Sequence, residues 1–257
     1  MKRLLTAVAL IPFIVYVVLF AGDWIFLAVL IAAALLTYRE YNEIAAAYAF
    51  GPPGPLGYGL GLLLLVWKGD AWLALVAAAL VSLALSMGAA DLAKTLPRAA
   101  LLTLGVAYVF GCWKCAIPLR NASPHWLMFA LLVNWVGDAG AYYVGKPFGK
   151  HKMAPRVSPQ KSWEGAAASV VTSVLIAGGY LMHFIPAIGA PLAIAFAAAA
   201  NVAGQLGDLA ESAMKRGAGV KDSGALLPGH GGFLDRVDST LFSLPVVYAL
   251  AASLKLV

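Results

Sequence analysis

APLAIAFAAAANVAGQLGDLAESAMK, residues 190–215, is apolar over about the 20 residues needed to cross a bilayer, yet its second half carries polar side chains. Asn201, Gln205, Asp208, Ser212 and Lys215 recur at spacings of 4, 3, 4 and 3, which stacks them on one face of an α-helix, with Glu211 flanking the stripe. A polar stripe on an apolar helix must face a bundle interior or a wet cavity. Asn and Gln can act there as glue between helices, whereas an intramembrane Asp marks a functional site or a buried ion pair. Lys215 is the partner that a purely structural Asp208 would take.

The rest of the chain agrees with a membrane fold. Of its 257 residues 62% are hydrophobic and 12% charged, against about 25% charged in soluble domains. Nine apolar segments are expected, over residues 4–20, 24–38, 56–67, 71–90, 99–118, 126–145, 163–185, 190–214 and 238–255. The expected architecture is an all-α, polytopic integral membrane protein of about nine transmembrane helices, forming one domain over residues 1–257. The third segment, bounded by Pro55 and Lys68, is short enough to be a half-span or a re-entrant hairpin with the fourth. A Pro/Gly turn is expected over residues 51–57. Met1-Lys2-Arg3 followed by an apolar run resembles a signal peptide, but Pro12 and the lack of an A-x-A site favour an uncleaved first helix.

With the N-terminus cytoplasmic, only four of the 18 Lys/Arg, namely Lys68, Lys114, Arg120 and Lys255, fall outside, as the positive-inside rule demands. The two basic loops, Lys146–Lys161 and Lys215–Arg236, then face the cytoplasm. A net charge of +6 on a membrane scaffold points to anionic lipid headgroups and nucleotide phosphates, not to nucleic acid. Cys112 and Cys115 lie in an apolar run without a thioredoxin-like context, so packing is their expected role.

Both loops carry chemistry. Ser212–Asp238 reads SAMKRGAGVKDSGALLPGHGGFLDRVD. Lys215, Arg216, Lys221 and Arg236 can neutralise phosphate oxygens; Asp222, Asp235 and Asp238 are the hard oxygen ligands that Mg²⁺ selects. The glycines allow backbone to approach a nucleotide. Upstream, Asn134–Gly165 reads NWVGDAGAYYVGKPFGKHKMAPRVSPQKSWEG. Asp138 sits in an apolar helix and needs a partner or metal. Ser162 is expected to N-cap the next helix, with Glu164 favouring its positive end. Ser158 and Lys161 have no such duty, and a helix N-terminus beside Lys161 is an anion site. His151 and His230 are phosphate-donor candidates; His125 and His183 fall at outer boundaries. No His/Cys spacing marks a zinc site.

Ser212–Asp238 resembles, residue by residue, the signature of the phosphatidate cytidylyltransferases, also called CDP-diacylglycerol synthases: S-x-x-K-R-x4-K-D-x5-P-G-H-G-G-x-x-D-R-x-D. Gly207-Asp208 and Ser158–Gly165 are similar to the same family, while the first 120 residues share only their hydrophobic helices. Where the family commonly has Ala-Asp-Thr, this chain has Gly137-Asp138-Ala139. The resemblance implies transfer of the cytidylyl group of CTP to phosphatidic acid, with Mg²⁺ required and a second metal ion left open. The catalytic half would span about residues 126–257. It implies metal binding by Asp208, Asp235 and Asp238, and phosphate handling by Lys215, Arg216, Lys221 and Arg236. Asp222 would bind nucleotide or pin the loop, and Ser158, Lys161 and His230 would contact substrate. The expected partners are CTP, phosphatidic acid and membrane lipids, with a homodimer left open. The expected place is a bacterial inner membrane, with the site on its cytoplasmic side. Two alternatives stay open: a CTP-dependent enzyme using another lipid acceptor, and an ion-coupled transporter. The D-G-x2-A-R-x8-G-x3-D-x3-D pattern of CDP-alcohol phosphotransferases is absent.

Overall fold

Long runs of Ala, Leu and Val leave backbone groups to satisfy one another, and the expected apolar segments are largely helical, although the fifth, 99–118, is divided among several short helices and the fourth runs past the end of its helix at Ser86. The structure, a computed structural model, describes residues 2–48, 50, 54–226 and 231–257, with backbone alone for residues 2–9. Its helices are α1 (Lys2–Leu19), α2 (Asp23–Ala46), α3 (Leu56–Val66), α4 (Ala71–Ser86), α5 (Thr95–Gly105), α6 (Cys112–Lys114), α7 (Ala116–Ala122), α8 (Pro124–Phe148), α9 (Trp163–Phe184), α10 (Gly189–Gly217) and α11 (Leu234–Ser253). A π-helical stretch, Val106–Gly111, joins α5 to α6.

Among the described residues five spans are long and apolar enough to cross a membrane: Asp23–Ala46, Leu92–Ala122, Pro124–Phe148, Trp163–Phe184 and Pro186–Gly217. The apolar helices α3 and α4 are shorter. The protein is therefore a mostly helical membrane protein. Residues 51–53 of the expected Pro/Gly turn lie outside the described residues, and Gly57 already belongs to α3. α2 continues past the expected end at residue 38 to Ala46. The apolar pattern stops at Arg39, but no helix breaker follows, and Arg39 pairs with Glu43 one turn on at 3.0 Å.

The chain divides into two compact units. The first comprises Met1–Leu10, Gly22–Lys114 and Met214–Val237. Its core surrounds Tyr38, Leu65, Val106 and Phe110, all fully buried. α3 approaches closely because it presents glycines: a Cβ on Gly57 would stand 1.6 Å from the Tyr38 hydroxyl, and one on Gly61 2.0 Å from the Phe110 ring. Lys114 donates to the carbonyls of Leu65, at 3.4 Å, and Trp67, at 2.6 Å, closing the C-terminal end of α3.

The second unit comprises Ile11–Ala21, Cys115–Ala213 and Asp238–Val257. Here α8 and α9 make the most extensive packing, around Trp126, Phe129 and Leu181, with Phe196 of α10 against Trp126. Arg120 is buried and donates to the carbonyls of Val18, in the last turn of α1, at 3.1 Å, and of Ala21, just beyond it. Between α8 and α9 stands a hairpin that the sequence reading did not expect: β1 (Lys152–Ala154) and β2 (Ser158–Ser162), antiparallel, pairing Lys152 with Ser162 and Ala154 with Ser158. Pro159 and the polar run around it give no strand pattern.

Candidate active site

In the second unit the stripe on α10 behaves as one face. Gln205 donates to Asn201 at 2.6 Å, and Ser212 to Asp208 at 3.4 Å. Asn201 donates to Ser169 and Ser173 of α9, both at 2.9 Å, and Gln205 to the Ala166 carbonyl at 3.2 Å. Asn134 of α8 reaches Ser243 of α11 at 2.8 Å. These bonds join helices. Room for them comes from glycine, since a Cβ on Gly137 would stand 2.4 Å from the Asn201 amide and one on Gly204 2.2 Å from Asn134 Oδ1.

At the end of this column opens a cavity of about 760 Å³, within the range of small-molecule sites, with Asp138, Lys146, Lys152, Ser158, Lys161 and Asp208 among its lining. Lys161, carried by β2, meets Asp208 of α10 at 2.6 Å, each side chain partly exposed. Asp208 thus has a lysine partner, but it is Lys161 rather than the Lys215 its sequence spacing suggested. Ser162 caps α9 by accepting from Gly165 N–H at 3.2 Å, as expected. Glu164 stands in the first turn of α9, as expected, and also reaches back to His151, taking its backbone N–H at 3.2 Å and its Nδ1 at 2.6 Å, which fixes the start of the hairpin. Gly149 allows the hairpin to leave α8, because a Cβ there would stand 2.4 Å from Ser162 Oγ.

Asp238, buried near the start of α11, feels the negative charges of Asp208, Glu211 and Asp138, in that order. Glu211, read from sequence as flanking the stripe, is completely buried within this acidic group. The donor chemistry suits Mg²⁺, which takes hard oxygens, commonly one or two carboxylates together with phosphate oxygens and water. Among the described residues no group of three or more His, Cys, Asp or Glu side chains is gathered closely enough to hold an ion by itself.

In the first unit the loop from Lys215 to Asp235 is tied to itself. Lys215 is buried and bonds Asp235 Oδ1, while Asp235 Oδ2 accepts from Ser223 N–H at 3.1 Å and Gly232 N–H at 2.8 Å. Burial by itself would raise the Asp235 carboxyl, but the Lys215 ammonium and these two N–H groups outweigh it and hold the group below the usual Asp range. Arg216, Lys221, Asp222 and Arg236 are exposed, with Arg216 also donating to the Val220 carbonyl at 3.2 Å. Gly231 has φ +80°, a conformation glycine adopts readily. His230 lies outside the described residues.

One residue the sequence reading passed over dominates this loop. Glu40 of α2, only 3% exposed, accepts from Ser223 Oγ at 2.6 Å and from the N–H groups of Phe233 and Leu234, both at 2.8 Å. Asp235 N–H goes to Ser223 Oγ at 3.3 Å. The N–H groups from Gly232 to Asp235 at the start of α11 are thus all engaged by protein, which leaves phosphate binding there to side-chain cations. A glutamate two residues beyond an expected segment end carries no local signal; its partners are some 190 residues away in sequence, 193 for Phe233.

A model of the cytidylyltransferase family matches residues 1–254. The chain is 42% identical over 164 residues to a phosphatidate cytidylyltransferase of Bacillus subtilis, covering 62% of this chain and 60% of that one. It is 40% identical over 152 residues to proteins of the same name from Staphylococcus saprophyticus and Staphylococcus aureus, covering 59% of this chain and 58% of each. The chain spans somewhat under two thirds of the length of these curated relatives. The family match runs through both units, from the α2 glutamate to the acidic face of α10 and the start of α11, and on it the chain belongs to the cytidylyltransferase family.

Proposed function

We propose that the protein transfers the cytidylyl group of CTP to phosphatidic acid, forming CDP-diacylglycerol and pyrophosphate. One observation carries the reading: in a chain of the cytidylyltransferase family, Lys161 and Asp208 meet on the wall of a cavity that Lys146 and Lys152 also line. Clustered ammonium groups beside carboxylates suit phosphates that arrive with a divalent cation. The name that the relatives share, phosphatidate cytidylyltransferase, supports CTP and phosphatidate as the pair.

The nucleophile is a phosphate oxygen of phosphatidate, already anionic, so no strong general base is required. It bonds to the α-phosphorus of CTP as the bond from that phosphorus to the β-phosphate bridging oxygen breaks, and the electron pair leaves with pyrophosphate. What the protein must supply is approach of two anions and neutralisation of the leaving group. Asp208 and Asp238, with Asp138 beside them, would hold Mg²⁺, whose chemistry when bound is to offset phosphate charge. Lys161 and Ser158 would contact substrate, and Lys221, Arg216 and Arg236 would contact phosphates from the exposed loop. Asp235, a ligand by its place in the motif, would have to give up bonds to Lys215, Ser223 or Gly232 to bind an ion; holding the loop is its better-supported task. Asp222 would bind nucleotide or brace Gly231, and His230 would donate to phosphate.

The same reading places about nine membrane helices with a cytoplasmic N-terminus, in a bacterial inner membrane with the site facing the cytoplasm. The charge distribution supports it. The test is purified protein given labelled CTP and phosphatidate: a lipid-bound cytidylyl group and pyrophosphate are expected with Mg²⁺ and not without it. Absence of both products with Mg²⁺ present overturns the assignment.

A further inference from the structure

Glu40 lies far from the signature in sequence, on a helix whose other visible duty is to pack in the membrane, yet its carboxylate takes three donors from the signature loop. Three bonds to one buried carboxylate are a structural commitment, because an ion this buried needs each of them. The surroundings are shaped to it. A Cβ on Gly224 would stand 2.7 Å from Glu40 Oε1, and one on Gly232 2.3 Å from Oε2. Two glycines, Gly232 of the signature and Gly224 at one of its open positions, thus make room for one side chain. From Glu40 the bonds run on: Ser223 Oγ, which donates to Glu40, accepts from Asp235 N–H, and Asp235 holds Lys215. The same helix end adds a second tie, Tyr48 Oη donating to the Met214 carbonyl at 2.9 Å, with Gly217 leaving it space.

We propose that Glu40 is the positioning residue of the phosphate-handling loop. It anchors both ends of the segment between Ser223 and Leu234, and so sets where Lys221, Asp222 and Arg236 stand when the nucleotide binds. It touches no substrate and acts through Ser223 and the start of α11. The inference rests on the proposed reading that this loop handles the phosphates of CTP.

The test compares wild type, Glu40→Gln, Ser223→Ala and the double variant as full-length purified protein. Glu40→Gln keeps size but turns one acceptor oxygen into a donor facing N–H groups. Two readouts are taken: KM for CTP and for phosphatidate, and the rate of tryptic cleavage after exposed Lys221, followed by mass spectrometry below the unfolding temperature. A positioning role requires KM for CTP to rise about tenfold or more in Glu40→Gln, with KM for phosphatidate within about twofold. Cleavage after Lys221 should be faster. Ser223→Ala should move both readouts the same way by less, the double variant should be no worse than the additive sum, and Glu40→Asp should recover part of the loss. Unchanged CTP KM and unchanged cleavage in Glu40→Gln overturn the proposal, as does a loss confined to thermal stability with both KM values unmoved. If wild type makes no CDP-diacylglycerol, the functional reading falls, while the cleavage arm still decides whether Glu40 holds the loop.

Discussion

Asp208 and Asp235 are both carboxylates bonded to a lysine, yet their surroundings set them different tasks. Asp208 stands partly exposed on a cavity wall, beside Lys161 and within the field of Asp238. Replacing it by Asn removes charge that would offset Mg²⁺ while keeping size, so turnover should fall on the order of 100-fold and the remaining activity should need more Mg²⁺. Normal turnover with normal Mg²⁺ dependence would make Asp208 a structural partner of Lys161 only. Glu211, buried in the same acidic group, is unsuitable as an inert comparison; Glu43, exposed on α2, is the better control. Asp235 is nearly buried and accepts from Lys215 and two backbone N–H groups. Removing its partner by Lys215→Ala should cost about 3 kcal/mol, read as a fall in unfolding temperature, because it strands a buried charge. The Asp235 carboxyl is held below the usual Asp range, so the folded loop favours the ionised form. That contribution is complete above the unfolded-state pKa and is lost as pH falls through the lower, folded value. Amide exchange at Ser223 and Gly232, corrected for its intrinsic pH dependence, should therefore speed up on acidification in wild type. Asp235→Asn should lack this step; an equal step in that variant would assign it to another carboxylate.

At the scale of elements, glycines separate close approach from mere flexibility. Gly232 is closed in by Ser223 Oγ at 2.0 Å, Glu40 Oε2 at 2.3 Å and the Gly224 backbone at 2.7 Å from an added Cβ, whereas Gly179 on α9 has nothing within 4 Å. Gly232→Ala should lower stability by about 1–3 kcal/mol through overpacking. Gly179→Ala should raise it by up to about 1 kcal/mol, since Ala is the better helix former. Thermal unfolding of the two variants checks both signs, and equal shifts would deny the crowding at Gly232. Such pairs also show what one sequence can reveal. The periodicity of Asn201, Gln205, Asp208 and Ser212 was enough to place them on one face, and Ser162 before an apolar run was enough to mark a cap, because both signals are local. The hairpin over 152–162 was not legible: Pro159 and three neighbouring polar residues show no alternation, and it is β2 that brings Lys161 to Asp208. Asp208 takes Lys161 as its lysine where a purely structural reading offered Lys215, since helical spacing fixes a face and not which side chain arrives from another element. Glu40 lay beyond reach for the same reason.

For the whole molecule, charge sets the expectation for the membrane face that each of the two loops takes. Only Lys68, Lys114, Arg120 and Lys255 of the 18 Lys/Arg fall on the proposed outer side. Two of them also make local bonds: Lys114 closes the end of α3 and Arg120 takes carbonyls at the end of α1. Single cysteines report the side directly, in a background with Cys112 and Cys115 replaced. Gly224 would be a poor position, because any Cβ there meets Glu40 at under 3 Å. Ala225 is exposed beside it, and Lys152 and Lys68 are exposed on their own loops. Cysteines at Lys152 and Ala225 should react with an impermeant thiol reagent only from the cytoplasmic side, and one at Lys68 only from the opposite side. Labelling of Ala225→Cys from outside would place the phosphate-handling loop where CTP is not supplied. Labelling of Lys152→Cys and Ala225→Cys from opposite sides would separate Lys161 and Asp208 from Lys221 and Arg236 by the bilayer, and no single phosphoryl transfer could then use both sets.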